Sequence, residues 1–267
     1  MNLVPEELEG KHGVQSLEVG MQILRAMVGG NRSMMLKDIA AAAEMPPSKA
    51  HRYLVSLIRS GLVEQDPATS RYNLGPFALN LGLVALDRLD RVRLGLSAIA
   101  ELRDEVNETT ALVVWSDIGP VVVRWERPRR AITVNVVTGT TLGMLSSASG
   151  QVFAAWLPEA RTLPLIKAEI AQGKAPEGIT SLDGAQAVLA EVRARGYAAI
   201  TGSRYAVRGV EAVAAPVFNF KNEITLTLVL VGVEGSIDMS PDSAAIRALL
   251  AAATRLSARL GAPPVID

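Results

Sequence analysis

LKDIAAAAEMPPSKAHRYLVSLIRSGLVEQDPATSRYNLGP, residues 36–76, is divided by helix-breaking and turn-forming residues into short segments. Leu36, Ile39, Ala40 and Ala43 share one helical stripe, Glu44-Met45-Pro46 interrupts it, and a new helix starts at Pro47. In that helix Ala50, Leu54, Leu57 and Ile58 point inward as far as the terminating Gly61. Ser48, Lys49, His51, Arg52, Ser56 and Arg59 are left outside. LVEQ, the turn-forming Asp66-Pro67-Ala68-Thr69 and RYNL then predict a two-stranded hairpin. Helix, tight turn, helix and hairpin together predict a winged helix-turn-helix.

On the N-terminal side, Leu17, Met21, Leu24 and Val28 recur at helical spacing and predict an amphipathic helix capped by Ser16 and ended by Gly29-Gly30. From Lys11 to Gly75 eight Lys or Arg stand against five acids, a local excess of three positive charges in a chain whose net charge is zero. A local excess suits docking on phosphates, whereas zero net charge excludes coating nucleic acid by bulk charge. The third helix can enter the major groove with its first turns leading. Ser48, Lys49 and Arg52 then reach base edges or phosphates, Arg71 on the wing reaches the flanking backbone, and Lys37 belongs to the same surface. His51 is read as a phosphate or structural residue. The competing reading is that these charges only solvate a helix face.

The 267 residues predict two domains, a DNA-binding unit at 11–75 and a second at 91–262, joined by a linker helix at 76–90. In FALNLGLVAL, residues 77–86, Asn80 is the only polar side chain, so this helix needs burial on more than one side. A second copy of the helix supplies that burial and pairs two DNA-reading heads, which predicts a homodimer or a dimer of dimers; the alternative is burial within its own chain. Beyond it, strand-like TTALVVWSD, GPVVVRWE, AITVNVV, YAAIT, VEAVAAPVF and ITLTLVLVG alternate with helical patterns at 91–107, 150–156, 163–171, 181–195 and 241–260. They predict an α+β domain with an antiparallel sheet.

Apolar runs are too short for a membrane span, and MNLVPEELEGKHG is acidic where a secretory leader is basic and then apolar, so a cytoplasmic, nucleoid-associated location is expected. There is no cysteine, which excludes disulfides and thiolate chemistry. Both histidines, His12 and His51, lie in the DNA-binding third, leaving the large domain without a histidine base or His-rich metal spacing. GxSxG, GxGxxG and phosphate-loop motifs are absent. No enzyme, cofactor or metal is expected.

VQSLEVGMQILRAM followed by residues 36–76 resembles the N-terminal domain of the IclR family of bacterial transcription regulators. Ser48-Lys49-Ala50-His51-Arg52 stands where the family's recognition helix reads Ser-Thr-x-His-Arg, with Lys49 replacing the commoner Thr. The C-terminal part resembles the family's GAF-like effector-binding domain over its length, most specifically at GVEAVAAPVF and ITLTLVLVG. The resemblance implies an effector cavity between the sheet and residues 142–150, here LGMLSSASG. This stretch departs from the family's Leu-Pro-Leu-His start, and Gln151 replaces a common Lys. The three serines Ser146, Ser147 and Ser149 stand at a helix N-terminus and provide either an anion seat or ordinary caps, with Ser147 or Ser149 as the candidate ligand and Ala148 beside them in the expected site. Arg204-Tyr205 replaces a frequent acidic pair, and Arg204 is expected to grip an acid group of the effector. Ala212, Val229 and Val231 match polar pocket residues of relatives, so the floor should be apolar, with Trp115, Trp125 and Met144 lining the body; core packing is the other reading of these side chains. The expected function is a ligand-responsive repressor of a catabolic operon whose effector is an aromatic or apolar carboxylic acid, such as serves aromatic catabolism. An activator of the same family, and a DNA-binding protein whose C-terminal domain only oligomerises, are the alternatives.

Overall fold

The computed structural model describes residues 13–30, 33–87, 90–129, 134, 137–201 and 209–264. The chain divides into two compact units, residues 1–89 and 90–267.

The first unit holds α1 (Gln15–Gly29), α2 (Leu36–Ala42), α3 (Pro47–Arg59), the strands β1 (Val63–Gln65) and β2 (Tyr72–Leu74), and α4 (Pro76–Asp87). Its core is Ile23 and Met27 of α1, Ile39 and Ala40 of α2, Ala50 and Leu54 of α3, and Val63 and Tyr72 of the hairpin. The stripe predicted for α1 is corrected. Val19, Gly20, Ile23 and Met27 are buried, whereas Leu17, Met21 and Val28 are exposed and Leu24 is half-buried. The helix carries two adjoining apolar stripes, and the inward one contains Gly20, where a Cβ would already stand 3.9 Å from the Tyr53 ring. Ser16 does not cap it either: the N-cap is Val14, and Ser16 lies inside the helix.

β1 and β2 pair antiparallel from Val63–Leu74 to Gln65–Tyr72, and Met34 exchanges two backbone hydrogen bonds with Tyr72, at 3.1 and 2.8 Å. The hairpin turn is built on Asp66, whose carboxylate accepts the Ala68 N–H at 2.8 Å and the Thr69 hydroxyl at 2.8 Å. At the base of the hairpin two glycines cross. Gly61 has φ +74°, Gly75 donates its N–H to Leu62, and Phe77 donates to the Gly61 carbonyl. A Cβ on Gly75 would overlap that same carbonyl, so the end of α3, the hairpin and the start of α4 are sewn together by backbone.

The second unit contains α5 (Arg91–Val106), β3 (Thr109–Ser116), β4 (Gly119–Glu126), α6 (Ala148–Trp156), α7 (Glu159–Ala171), α8 (Leu182–Arg195), β5 (Ala198–Ile200), β6 (Val210–Phe218), β7 (Ile224–Val233) and α9 (Ala244–Arg259). The strands form one antiparallel sheet in the order β4-β3-β7-β6-β5. Alternation along the strands feeds two cores. Ala111, Val113, Ala212, Ala214, Val229 and Val231 face α6, where Val152 and Phe153 meet them. Leu112 faces the other way, against α5, where Gly95 makes room for it: a Cβ there would sit 2.7 Å from the Leu112 methyls. Asn222, at φ +59°, turns the β6–β7 hairpin where Lys221-Asn222-Glu223 predicts it.

Helix starts differ from expectation by local capping. α6 begins at Ala148 because Ser147 caps it, and α7 begins at Glu159 with Pro164 inside it rather than at Leu163. The strand expected at AITVNVV lies mostly outside the described residues; Val134 and Val137 are described and are not in a strand.

Candidate nucleic-acid interface and ligand cavity

Pro47 opens α3, and Ser48, His51, Arg52, Ser56 and Arg59 are exposed along its outer face, with Lys49 half-buried beside them. Lys37 is exposed in the first turn of α2. No acid pairs with Lys37, Lys49, Arg52 or Arg59 among the described residues. A helix face whose cations have no acid partner among the described residues suits a lattice of anions. Arg71 is exposed, but its guanidinium donates to the Ser33 carbonyl at 3.1 Å, which draws it toward the α1–α2 loop and leaves its other N–H donors available. Asp66 holds the wing turn through two kinds of donor: the Thr69 hydroxyl and then the Ala68 N–H lower its pKa below the usual aspartate range.

In the second unit a cavity of about 260 Å³ lies between the sheet and the first turn of α6. Its floor is Ala111, Val113 and Val122 with Ala212, Val229 and Val231; Trp125 and Ile200 stand at its sides, and residues 140–143 and 146–149 close it. Of the effector residues expected from sequence, Trp125, Ser147, Ala148, Ser149, Ala212, Val229 and Val231 line this space. Two do not. Trp115, on the same sheet face as Val113, lies further along β3, packed against Phe153 with the rings tilted by 56° and their centroids 5.6 Å apart, and covered by the Arg161 guanidinium at 5.5 Å. Met144 turns away into a separate cluster with Leu145, Ile166 and Leu189. Arg204 and Tyr205 lie outside the described residues.

The serine hydroxyls of this region are committed to the fold. Ser147 donates to the Gly143 carbonyl at 2.6 Å and accepts the Gly150 N–H at 2.9 Å. Ser149 is bonded to Thr227 at 3.0 Å, and Ser146 donates to Glu169 at 2.5 Å. Gln151, buried, donates to the Leu145 carbonyl at 2.8 Å and so ties the turn to α6. Two kinds of donor are left over among the described residues: the buried Nε1–H of Trp125 has no partner there, and no acceptor meets the N–H groups of Ala148 and Ser149 in the first turn of α6. An apolar chamber with these donors spare suits a small molecule that is apolar over most of its surface and carries an acceptor group.

Sequence reasoning missed Glu169 and Thr227, both of which act through contacts made only by the folded chain. It also missed Glu211, a buried carboxylate on β6 that accepts the Gly235 and Ile237 N–H groups at 3.1 and 2.5 Å. A buried acid inside an apolar strand is itself a sequence-level signal. Among the described residues no cluster of His, Cys, Asp and Glu is suited to a metal, and no helix is long and apolar enough to cross a membrane.

Known proteins match both units. Residues 16–67 match the IclR helix-turn-helix domain, and residues 84–258 match the bacterial transcriptional regulator IclR C-terminal domain. The glycerol operon regulatory protein of Streptomyces coelicolor is 31% identical over 252 residues, covering 92% of this chain and 94% of that protein. The transcriptional repressor IclR of Escherichia coli is 25% identical over 212 residues, covering 79% and 77%. Among solved structures, HmgR of Pseudomonas aeruginosa superposes with a TM-score of 0.84 at 38% identity, covering 94% of this chain and 100% of that one. With a DNA-binding head, an effector domain and relatives that regulate transcription rather than catalyse reactions, the chain belongs to the IclR family of bacterial transcriptional regulators.

Proposed function

We propose that this regulator is a repressor of a catabolic operon, relieved or reinforced by a small aromatic or otherwise apolar carboxylic acid bound in the cavity of the C-terminal unit. The observation that carries the reading is the pairing of an apolar floor with the unpartnered Trp125 Nε1–H and the free N–H groups at the start of α6. The floor takes the body of the ligand and the donors take its acid, helped by the positive end of α6. A volume of about 260 Å³ stands at the small end of ligand sites, which favours an acid of few atoms. Ser147, Ala148 and Ser149 act as wall rather than as hydroxyl ligands, and Arg204 is proposed as a further partner of the acid. Relatives named for a glycerol operon and, as the acetate operon repressor of Salmonella typhimurium, for an acetate operon support repression of small-molecule utilisation genes.

In this reading Ser48, Lys49 and Arg52 meet bases and phosphates, and Lys37, His51 and Arg71 meet phosphates. The working unit is a homodimer or a dimer of dimers. Phe77, Leu79, Leu81, Leu83 and Val84 of α4 are each about half exposed or more, at 46%, 64%, 50%, 54% and 47%, an apolar surface that a second copy covers. The test is recovery of genomic fragments at two salt concentrations, with and without a panel of aromatic acids. Sites that persist at the higher salt and respond to one acid support the reading; recovery that fades with salt and ignores every acid overturns it.

A further inference from the structure

The turn that separates the cavity from solvent is built around a carboxylate belonging to a different helix. Glu169 of α7 is only 8% exposed, yet its partners among the described residues are all neutral donors: the N–H groups of Met144 at 2.6 Å, Leu145 at 2.9 Å and Ser146 at 3.0 Å, and the Ser146 hydroxyl at 2.5 Å. Three successive N–H groups converging on one anion form a nest. Its closeness depends on Gly143, where a Cβ would overlap the Ser146 hydroxyl and stand 2.6 Å from the Glu169 carboxylate. The same turn is a wall one backbone thick. Thr141, Leu142, Gly143 and Ser146 line the inner cavity on one side, and on the other they line an open groove to which Glu169 and Lys174 also contribute.

We propose that Glu169 is a positioning residue of the effector site: its carboxylate fills the nest at residues 144–146, fixes the wall that the ligand meets and bars the ligand's own acid from that nest. The proposal rests on the reading of the inner cavity as the effector site. With the nest filled from within, an entering acid is left the donors at Trp125 and the first turn of α6, with Arg204 as the further partner proposed above, which sets its orientation. Because α7 supplies the anion, the wall also moves with α7.

The test is amide hydrogen exchange of the full chain without any effector, with Glu169→Ala and formate as the probe. Exchange at Met144, Leu145 and Ser146 should speed up about tenfold or more in the variant, as expected on losing charge-assisted bonds, and formate should slow it again where acetamide does not. Unchanged exchange, or equal rescue by formate and acetamide, overturns the proposal. Should Glu169→Ala not fold, Glu169→Gln decides: it keeps the volume but turns an NH2 toward the nest, so the same amides should accelerate and formate should have no effect. Unaltered amides in Glu169→Gln would also refute it. Benzoate titration of the wild-type chain, followed at the Trp125 indole signal, tests the cavity separately, so a failure of the clamp and a failure of the effector reading give different results.

Discussion

Gly150→Ala should cripple the C-terminal unit although alanine is the better helix former. In the first turn of α6 a Cβ at 150 would overlap the Gly143 carbonyl oxygen and lie 2.7 Å from both the Cα and the carbonyl oxygen of Met144, where ordinary contact begins near 3.4 Å. Met144 must therefore retreat by about 0.7 Å, and Gly143 by more. Gly143 cannot retreat without loosening its bond from Ser147, nor Met144 without loosening its bond to Glu169. Overpacking of this kind costs about 1–3 kcal/mol and each loosened hydrogen bond about 1 kcal/mol, against about 1 kcal/mol gained in helix propensity. The net loss is about 2–4 kcal/mol, a fall in Tm of roughly 4–16 °C for a unit of this size. Trp115, Trp125 and Trp156 all belong to the C-terminal unit, so tryptophan fluorescence during heating reports that unit alone. Gly184→Ala in α8 is the control: its Cβ would meet nothing closer than 3.6 Å, and it should be neutral or slightly stabilising. If Gly150→Ala melts within a degree or two of Gly184→Ala, the close packing of the turn on α6 is refuted.

Other outcomes follow from the same geometry. Trp125→Phe should leave the Tm within a few degrees of wild type, because the lost indole N–H has no partner among the described residues, while weakening benzoate binding by about 10-fold or more on calorimetric titration. Arg52→Ala and Lys49→Ala should each weaken operator binding, and a phosphate contact will also reduce the slope of log K against log salt by about 1, whereas a base contact relaxes sequence preference instead. The Asp66 carboxyl should titrate below the usual aspartate range by NMR. Since its pKa is lowered in the folded state, its bonds to Thr69 and Ala68 support the wing turn above the unfolded value and are lost as pH falls through the folded one, so wing amide signals should shift at pH values below the usual aspartate range.

The DNA-reading head was legible because its signals are local. Pro47, Gly61 and the Asp66 turn punctuate α3 and the wing within a few residues of where they act. α1 misled for an equally local reason: with apolar residues on two adjoining stripes, periodicity cannot choose between them, and Gly20 decides only once Tyr53 of α3 lies against it. In the cavity, strand alternation sent Ala212, Val229 and Val231 to the right face, and the same alternation put Trp115 on it as well, without saying that Phe153 and Arg161 would cover that end. The serines stood out as an anion seat, and the turn does hold an anion. It comes from Glu169, 23 to 25 residues further along the chain, and no spacing rule links the two.

The crossing of Gly61 and Gly75 has a mechanical meaning. With Phe77 bonded back to Gly61 and Gly75 to Leu62, α4 has no slack at its root, and the wing cannot swing without the recognition helix. The head behaves as a solid crank with α4 as its handle, so a small change in the direction of α4 becomes an equal rotation of α3. A regulator geared in this way can leave DNA without unfolding any part of its reading surface, simply by turning α3 out of the angle at which it meets the duplex.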